Sequence, residues 1–458
     1  MMLKSKVALQ VISTGMIPED TLMLGETYVK QWKIPQGQHI LLKFGSFRQH
    51  VKVIPVAKYD GMRMSQSLAR QMGLISGSSL RIQYKAGIST LVLGPLIGVL
   101  VSRDYPNTPD KPFGPITLFC KELVEASSAQ GVYVYFFTPN QIGSQLDTTI
   151  DGWVFSDKWQ QVRMPIPDVV NNRLTSRKLE SRPSVQHFMK DVKQQHKTNV
   201  FNEKFLDKVE VFDALKKDES LGRYLPESHL LLNYNTLKSM CSRYSSIFLK
   251  PVRGSLGKGI IRISRLETNQ YQAMHTTAAG ARKQQHTSLV KLYSSISSKM
   301  KTVRYQIQQG LHLIEIQKRP VDFRALVQKN LTGKWTITSI VARTASNDHF
   351  VSNLARGGTL STALEAVTKS NLQSGISRNE AVHRLQQAAL HIARGVDAQI
   401  PAHFGELGID LALDTNGRVW LLEVNSKPSK NDNTPLNDNK IRPSVRMMIQ
   451  YSRFLSGF

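Results

Sequence analysis

The sequence predicts a multidomain protein of mixed α/β and α+β class, and three observations carry that reading. Short alternating stretches broken by glycine run from about Tyr28 to Val92, apolar strands alternate with a helical pattern after Leu93, and hairpins mix with helices past Val200. At 458 residues the chain exceeds what one hydrophobic core usually organises, so about two to four domains are expected. Hydrophobic residues at 41% and charged residues at 21% place it among folded globular chains rather than disordered ones. The expected units are a β-rich domain over 1–92, a small open-sheet α/β domain over 93–195, and an α+β domain over 196–458.

In the first unit, His39 to Lys43 and His50 to Ile54 alternate apolar and polar residues between Gly37, Gly45, Gly61, Gly73, Gly77 and Gly87. One short helix is expected there, from Ser65 to Met72, where Leu68 and Met72 share a face. In the second unit, Ile97 to Val101 reads as a buried strand, Ile116 to Gln130 as a helix, Val132 to Phe137 as a second strand, and Val169 to Asn171 as a third. In the last unit, Ser377 and Glu380 form a capping box that opens a helix, with Val382, Leu385, Ala389, Ile392 and Val396 on one face. No internal repeat is visible. Asn425 to Asn439 is polar and reads as a long loop, either beside a site or mobile.

Sixty Lys and Arg against 34 Asp and Glu leave a net charge of +26, a field that attracts polyanions. One loose basic cluster runs from Arg173 to Lys197 and another from Arg282 to Arg304, without an RNA-binding or helix-turn-helix signature. Nucleic acid is therefore not expected as the partner, and a solvated basic surface accounts for the distribution. Cys120 and Cys241 stand far apart with no histidine at metal-ligand spacing, which argues against structural zinc and a disulfide framework. The first twelve residues make a poor signal peptide, and the longest apolar run, Leu91 to Val101, is too short to span a bilayer. Cytoplasmic synthesis without membrane insertion is expected.

Four stretches carry chemistry. The strand-like Ile247-Phe248-Leu249-Lys250-Pro251 is followed by Gly254-Ser255-Leu256-Gly257-Lys258-Gly259 and then Ile260-Ile261-Arg262-Ile263. Such a glycine loop can lay backbone N–H groups on phosphate oxygens, although a hairpin turn needs the same residues. It is not a Walker A loop, because Lys258 precedes Gly259 and a strand rather than Ser/Thr and a helix. Gly408-Ile409-Asp410 and Leu421-Leu422-Glu423-Val424-Asn425 flank a turn at Asp414-Thr415-Asn416-Gly417, where Asn-Gly signals a hairpin. Pairing would bring Asp410 level with Glu423, with Asn425 on the same face, giving hard oxygen donors suited to Mg²⁺. Arg324, in Asp322-Phe323-Arg324, and Arg356, close behind Asn353, offer permanent forked donors for phosphate.

Taken in order, these stretches resemble the ATP-grasp superfamily over about residues 200 to 430. The resemblance implies two α+β subdomains that clasp Mg-ATP, here preceded by the open-sheet and β-rich domains. It implies that Lys208 and Lys250 hold phosphates, that Gly254, Ser255, Gly257, Lys258 and Gly259 belong to a flap, and that Gln308 and Gln309 lie at the adenine hinge. It also implies that Asp410, Glu423 and Asn425 ligate Mg²⁺, and that Arg324, Arg356 and Asn353 serve the γ-phosphate and an acyl phosphate. The hinge carries Gln308-Gln309 where many relatives carry Gln-Glu. Ser352-Asn353-Leu354-Ala355-Arg356-Gly357-Gly358 is similar to the branch that adds amino acids to peptide or protein carboxylates. Over its whole length the chain resembles the endospore coat-associated YheC/YheD group, on Leu93 to Leu100, Pro167-Asp168-Val169-Val170, Asn172-Arg173 and Asp322 to Lys329.

That resemblance implies an ATP- and Mg-dependent carboxylate-amine ligase of sporulation. Its substrates would be an acidic peptide, an amino acid or a wall-derived acid, together with an amine. It further implies synthesis in the mother-cell cytoplasm, deposition on the spore coat and spore-coat proteins as partners. The alternative within the same group is an ATP-binding structural coat protein without turnover.

Overall fold

The computed structural model describes residues 5–143, 148–253, 258–266, 269–277, 280–346, 358–373, 375–429 and 441–458. The first unit is a closed barrel in the order Ser5–Ile12, Met62–Ser65, Thr21–Gly25, Phe47–Val56, His39–Phe44, Thr90–Gly94 and Ser79–Lys85. Ser5–Ile12 closes it by pairing antiparallel with Ser79–Lys85. The alternation in His39–Phe44 turns Ile40, Leu42 and Phe44 into the core.

Two short helices interrupt the barrel, where the sequence suggested one. Gln66–Met72 is the expected one, and Glu26–Trp32 is additional. Thr27, Tyr28, Val29 and Trp32 have weak helix preference and good strand preference, which hides the second helix in the sequence. The barrel also corrects the absence of a repeat. Strand, helix and strand recur as Thr21–Gly25, Glu26–Trp32, His39–Phe44 and again as Met62–Ser65, Gln66–Met72, Ser79–Lys85. The two first strands pair as Leu22 with Met64, Met23 with Arg63 and Leu24 with Met62, an arrangement centred on a local two-fold. Lys33 and Gly73 end the two helices in the left-handed region, and Gly37 and Gly77 turn into the next strands at φ 75° and 87°. The halves share burial and turn geometry rather than residue identity.

The second unit is a six-stranded sheet in the order Trp159–Pro165, Thr149–Phe155, Tyr133–Phe137, Leu96–Leu100, Val169–Asn172 and Asn199–Phe201. Its last four strands are parallel. The three strands expected here are present, with the helix at Thr117–Ala129, while the edge hairpin of Thr149–Phe155 and Trp159–Pro165 is an addition. Leu96 and Leu100 join the barrel in one hydrophobic core, capped by the helix Pro183–His196. Ile97, Val99 and Val101 face the opposite core, covered by Thr117–Ala129 and by the last helix, Pro443–Ser456.

The remaining chain forms two lobes. The small lobe has the order Ser228–Leu230, Tyr305–Gln309, Ser246–Pro251, Ile261–Arg265, Tyr271–Thr277 and Gly280–His286, with helices Tyr234–Arg243 and Leu289–Met300 in its core. The large lobe has the order Thr359–Thr362, Trp335–Thr344, Arg319–Lys329, Glu406–Leu413 and Val419–Asn425, backed by Arg378–Gln399 and Lys208–Leu215. Ser377 caps Arg378–Gln399 by accepting the Glu380 N–H at 3.1 Å, one half of the capping box, while the Glu380 carboxylate accepts from Arg384 Nε at 2.9 Å. Cys120 and Cys241 are buried free thiols. Among the described residues no helix is long and apolar enough to cross a membrane. Of the long polar loop, residues 430–440 lie outside the described residues.

Candidate active site

The site is built on the hairpin of Glu406–Leu413 and Val419–Asn425. Asp410 lies directly opposite Glu423, and Gly408 opposite Asn425. Asp414 closes the turn, its Oδ1 accepting the Asn416 and Arg418 N–H groups at 3.0 and 2.9 Å. Glu423 and Asn425, two apart on one strand, point to the same face as Asp410 across the pair. A register shift just after Asp410 lets the apolar run from Leu411 continue in the core.

On the other side of Glu406–Leu413, Arg324 stands opposite Asp410, and one strand further Arg343 stands opposite Asp322. Arg324 donates to both Asp410 oxygens, through Nε and, at 3.0 Å, through Nη2. Arg343 bridges the two carboxylates, with Nε 2.5 Å from Asp322 Oδ1 and Nη2 3.2 Å from Asp410 Oδ2. Burial opposes ionisation of Asp410, but Arg324 and Arg343 outweigh it and hold the carboxyl below its usual range. Burial likewise opposes the Arg343 charge, and Asp410 and Asp322 fix it more firmly than usual. The sequence did not single out Arg343. Its only signal is a charged residue in the buried half of an otherwise uncharged strand.

Two lysines reach this cluster from other elements. Lys208 is the first residue of its helix, whose N-cap Asp207 accepts from Val209 N at 2.9 Å, and its Nζ lies 3.0 Å from Glu423 Oε1. Lys250 comes from the small-lobe strand Ser246–Pro251 and binds the Gln308 side-chain oxygen. Burial pushes the Lys250 amine down to about 8, Lys208 adds to the fall, and Glu423, Asp410 and Asp322 oppose it. The four cations Lys208, Lys250, Arg324 and Arg343 thus face three carboxylates, Asp322, Asp410 and Glu423.

Gln308 is buried, and its Nε2 has no partner among the described residues, an unspent donor beside Lys250. Gln309 instead turns its side-chain oxygen to the Glu227 N–H at 2.7 Å, so the two hinge glutamines point to different work. Lys258 and Gly259 are exposed at the end of the loop joining two paired strands, and Gly259 holds a φ of 73° that favours glycine. Gly254, Ser255 and Gly257, and likewise Asn353 and Arg356, lie outside the described residues.

The second unit meets the large lobe through charge. Arg173 Nη1 lies 2.7 Å from Glu406 Oε1, and its Nη2 donates to Pro428 O at 2.9 Å. Lys427 pairs with Glu180, which also accepts from Asn172 Nδ2 at 3.0 Å and Phe205 N at 2.8 Å. Burial pushes the Lys427 amine down to about 8 against the pull of Glu180. Arg177 donates to Leu206 O and lies within electrostatic reach of Asp207, Glu180 and Glu423. The sequence reading placed Arg173 and Arg177 in a loose basic cluster, Asn172-Arg173 also among the stretches of the family resemblance and Lys427 in a loop, and it assigned none of these contacts.

Asp410, Glu423 and Asn425 offer two carboxylates and an amide oxygen on one face, the hard donor set that suits Mg²⁺. The cations now paired with the carboxylates are the groups that phosphate oxygens attract.

A family model described as YheC/D like ATP-grasp matches residues 197–455. The endospore coat-associated protein YheD of Bacillus subtilis (strain 168) is 29% identical over 369 residues, 80% of this chain and 80% of that protein. YheC of the same strain is 25% identical over 320 residues, 68% of this chain and 85% of that one. Among solved structures, the VanG D-Ala:D-Ser ligase from Enterococcus faecalis aligns over 79% of this chain and 99% of that one, at 12% identity and a TM-score of 0.47.

Proposed function

This chain belongs to the YheC/D-like ATP-grasp family, and on that premise we propose that it activates a carboxylate with Mg-ATP and joins it to an amine. The observation that carries the reading is the register of Asp410 opposite Glu423, with Lys208 on Glu423 and Lys250 within reach of both carboxylates. Charges from both lobes and from the helix Lys208–Leu215 converge where a nucleotide polyphosphate would lie.

Transfer of the γ-phosphoryl group to the acid oxygen gives an acyl phosphate and ADP. The amine nitrogen then attacks the carbonyl carbon, the C–N bond forms, the C–O bond to phosphate breaks, and the amine proton is lost. Lys208 and Lys250 hold phosphates, while Gly254, Ser255, Gly257, Lys258 and Gly259 form the flap. Gln308 gives its unspent amide to the adenine, and Gln309 braces the hinge through Glu227. Asp410, Glu423 and Asn425 would hold Mg²⁺, which would supply neutralisation of phosphate charge. Arg324, with Asn353 and Arg356, stabilises the charge that develops on the transferring group. Catalysis then rests on positioning and fixed charge rather than on a covalent enzyme nucleophile.

The net charge of +26 favours an acidic acid substrate, such as an acidic peptide or a wall-derived acid. The names of the two Bacillus relatives suggest a spore-coat setting, with coat proteins as partners and the mother-cell cytoplasm as the place of synthesis. One observation favours a second reading, an ATP-binding coat protein without turnover: Asp410 is held by both Arg324 and Arg343. Mg-ATP turnover in hydroxylamine with pools of carboxylates separates the two. Hydroxamate and ADP that vanish in Glu423→Ala establish the ligase, nucleotide binding without turnover favours the coat protein, and no nucleotide binding overturns both.

A further inference from the structure

Residues 246–304 of the small lobe hold eleven Lys and Arg against one acidic residue, Glu267. Arg282 and Lys283 lie exposed on Gly280–His286, the terminal strand of the sheet. Lys291, Lys299 and Lys301 lie exposed on and just past the adjoining helix Leu289–Met300. Arg282 and Lys299 both act on His275, which places this strand cation and this helix cation near one another, while Lys283, next along the edge strand, points to the other face of the sheet. None of the five has a carboxylate within ion-pair distance among the described residues. Helices elsewhere balance such groups locally, as in Lys30–Glu26, Lys369–Glu365 and Arg384–Glu380. Leu289–Met300 contains no acidic residue at all.

Lysines on an edge strand can serve only to prevent sheet-to-sheet aggregation. That role needs a charge or two on the strand and explains neither the helix cations nor the missing acids.

We infer that this edge docks an acidic polypeptide, laid as an added strand along Gly280–His286 with its carboxylates over the helix cations, and that it delivers the acid substrate to the site. The inference rests on the ligase reading for that last step. An edge strand offers the backbone pairing that another strand satisfies, and the exposed Gln284 and Gln285 offer both donors and acceptors. A nucleic acid would look for stacking surfaces, and Tyr293 on this helix is already packed edge-on against Tyr234.

Geometry ties the edge to the site. Gln308, Phe248, Arg262, Met274 and Lys283 are successive cross-strand neighbours, so Lys283 stands four strand spacings from the hinge glutamine. At about 4.8 Å per spacing this is about 19 Å, which roughly six extended residues can span. A segment docked on this edge is thus within about six extended residues of the hinge end of the nucleotide site.

The probe is a fluorescently labelled octaglutamate, with anisotropy read over a range of salt. Wild type is expected to bind with a steep salt dependence. Arg282→Glu/Lys283→Glu and Lys299→Glu/Lys301→Glu should each weaken binding at least tenfold. Lys178→Glu/Lys190→Glu, on the second unit, should leave it unchanged. Octaglutamate N-methylated at every residue should bind at least tenfold more weakly, because neither of its edges has a backbone N–H left to pair with the strand. Absence of binding to wild type, equal binding to all variants, or tighter binding of single-stranded DNA of equal charge overturns the inference. Equal binding of the N-methylated peptide overturns strand addition. Mg-ATP binding by thermal shift on the same samples reports on the ligase reading separately.

Discussion

In the large lobe, Asp322, Arg343, Asp410 and Arg324 form one buried, ion-paired cluster, whereas the outer edge of the small lobe presents exposed cations with no carboxylate partner among the described residues. Both lobes carry basic residues on strands, and the difference lies in what the fold places opposite them. Strand register in the large lobe sets acid against base inside the protein, where a lone charge is costly. The small-lobe edge leaves its charge to solvent, where it costs little and remains available to a partner. A site that must grip phosphate needs the first arrangement, and a surface that must recruit a polyanion needs the second.

The largest expected effect follows from removing one member of the buried cluster. Arg343→Met leaves Asp322 and Asp410 short of a buried partner and should cost about 3–5 kcal/mol in denaturant unfolding. Arg343→Met with Asp322→Leu should recover part of that loss, since the pair is removed together. Arg282→Glu/Lys283→Glu should change stability by no more than about 0.5 kcal/mol per site. Equal losses in the two lobes would break the comparison.

Lys250 joins the lobes and comes next. Lys250→Met should weaken Mg-ATP binding by about 1.5–3 kcal/mol, the worth of a hydrogen bond to a charged group, read by calorimetry. The amine titrates near 8 in the free protein, so its charged form dominates below that pH. Nucleotide affinity should therefore fall as pH rises from 7 to 9. Lys250→Arg should bind with little change over that range, because its guanidinium stays charged.

The small lobe should also loosen on acidification. Burial lowers the His275 pKa, helped by Lys299 and Arg282, and burial lowers that of His286. The buried Nε2 atoms of both lack partners among the described residues. Below 6.5 the unfolded chain binds protons that the folded lobe resists, so stability falls with pH through 6.5 towards the folded values. The protection of Tyr271–Thr277 amides, exchange rates being corrected for the intrinsic pH dependence, should fall between pH 7 and 5.5, and His275→Gln/His286→Gln should abolish that fall.

How much of this was legible depended on how local each feature is. The level placement of Asp410 and Glu423 followed from sequence because Asn416-Gly417 fixes the hairpin between them. Arg343 was not legible, because its meaning comes from a strand pairing that sets it opposite Asp322. The cationic contacts of Arg173 and Lys427 with Glu406 and Glu180 join residues more than two hundred positions apart, and no local pattern encodes them. The barrel repeat escaped for a related reason: its halves agree in burial and in left-handed turns, while Leu22, Leu24 and Tyr28 recur as Met62, Met64 and Leu68.

The smallest effect tests whether the lobes differ in charge alone. Ser288 caps Leu289–Met300 by accepting the Lys291 N–H at 3.3 Å, and Ser377 caps Arg378–Gln399 by accepting the Glu380 N–H at 3.1 Å. Each cap satisfies one orphan donor at an exposed helix start, so Ser288→Ala and Ser377→Ala should each cost about 1 kcal/mol. Glu380 adds a favourable acidic charge in the first turn of its helix, and Leu289–Met300 has none. Any difference should therefore appear as a small loss for Glu380→Gln and a small gain for Lys291→Gln in low salt, both vanishing in high salt. A gap between the two serine substitutions that persists in high salt would mean that the lobes differ in packing as well as in charge.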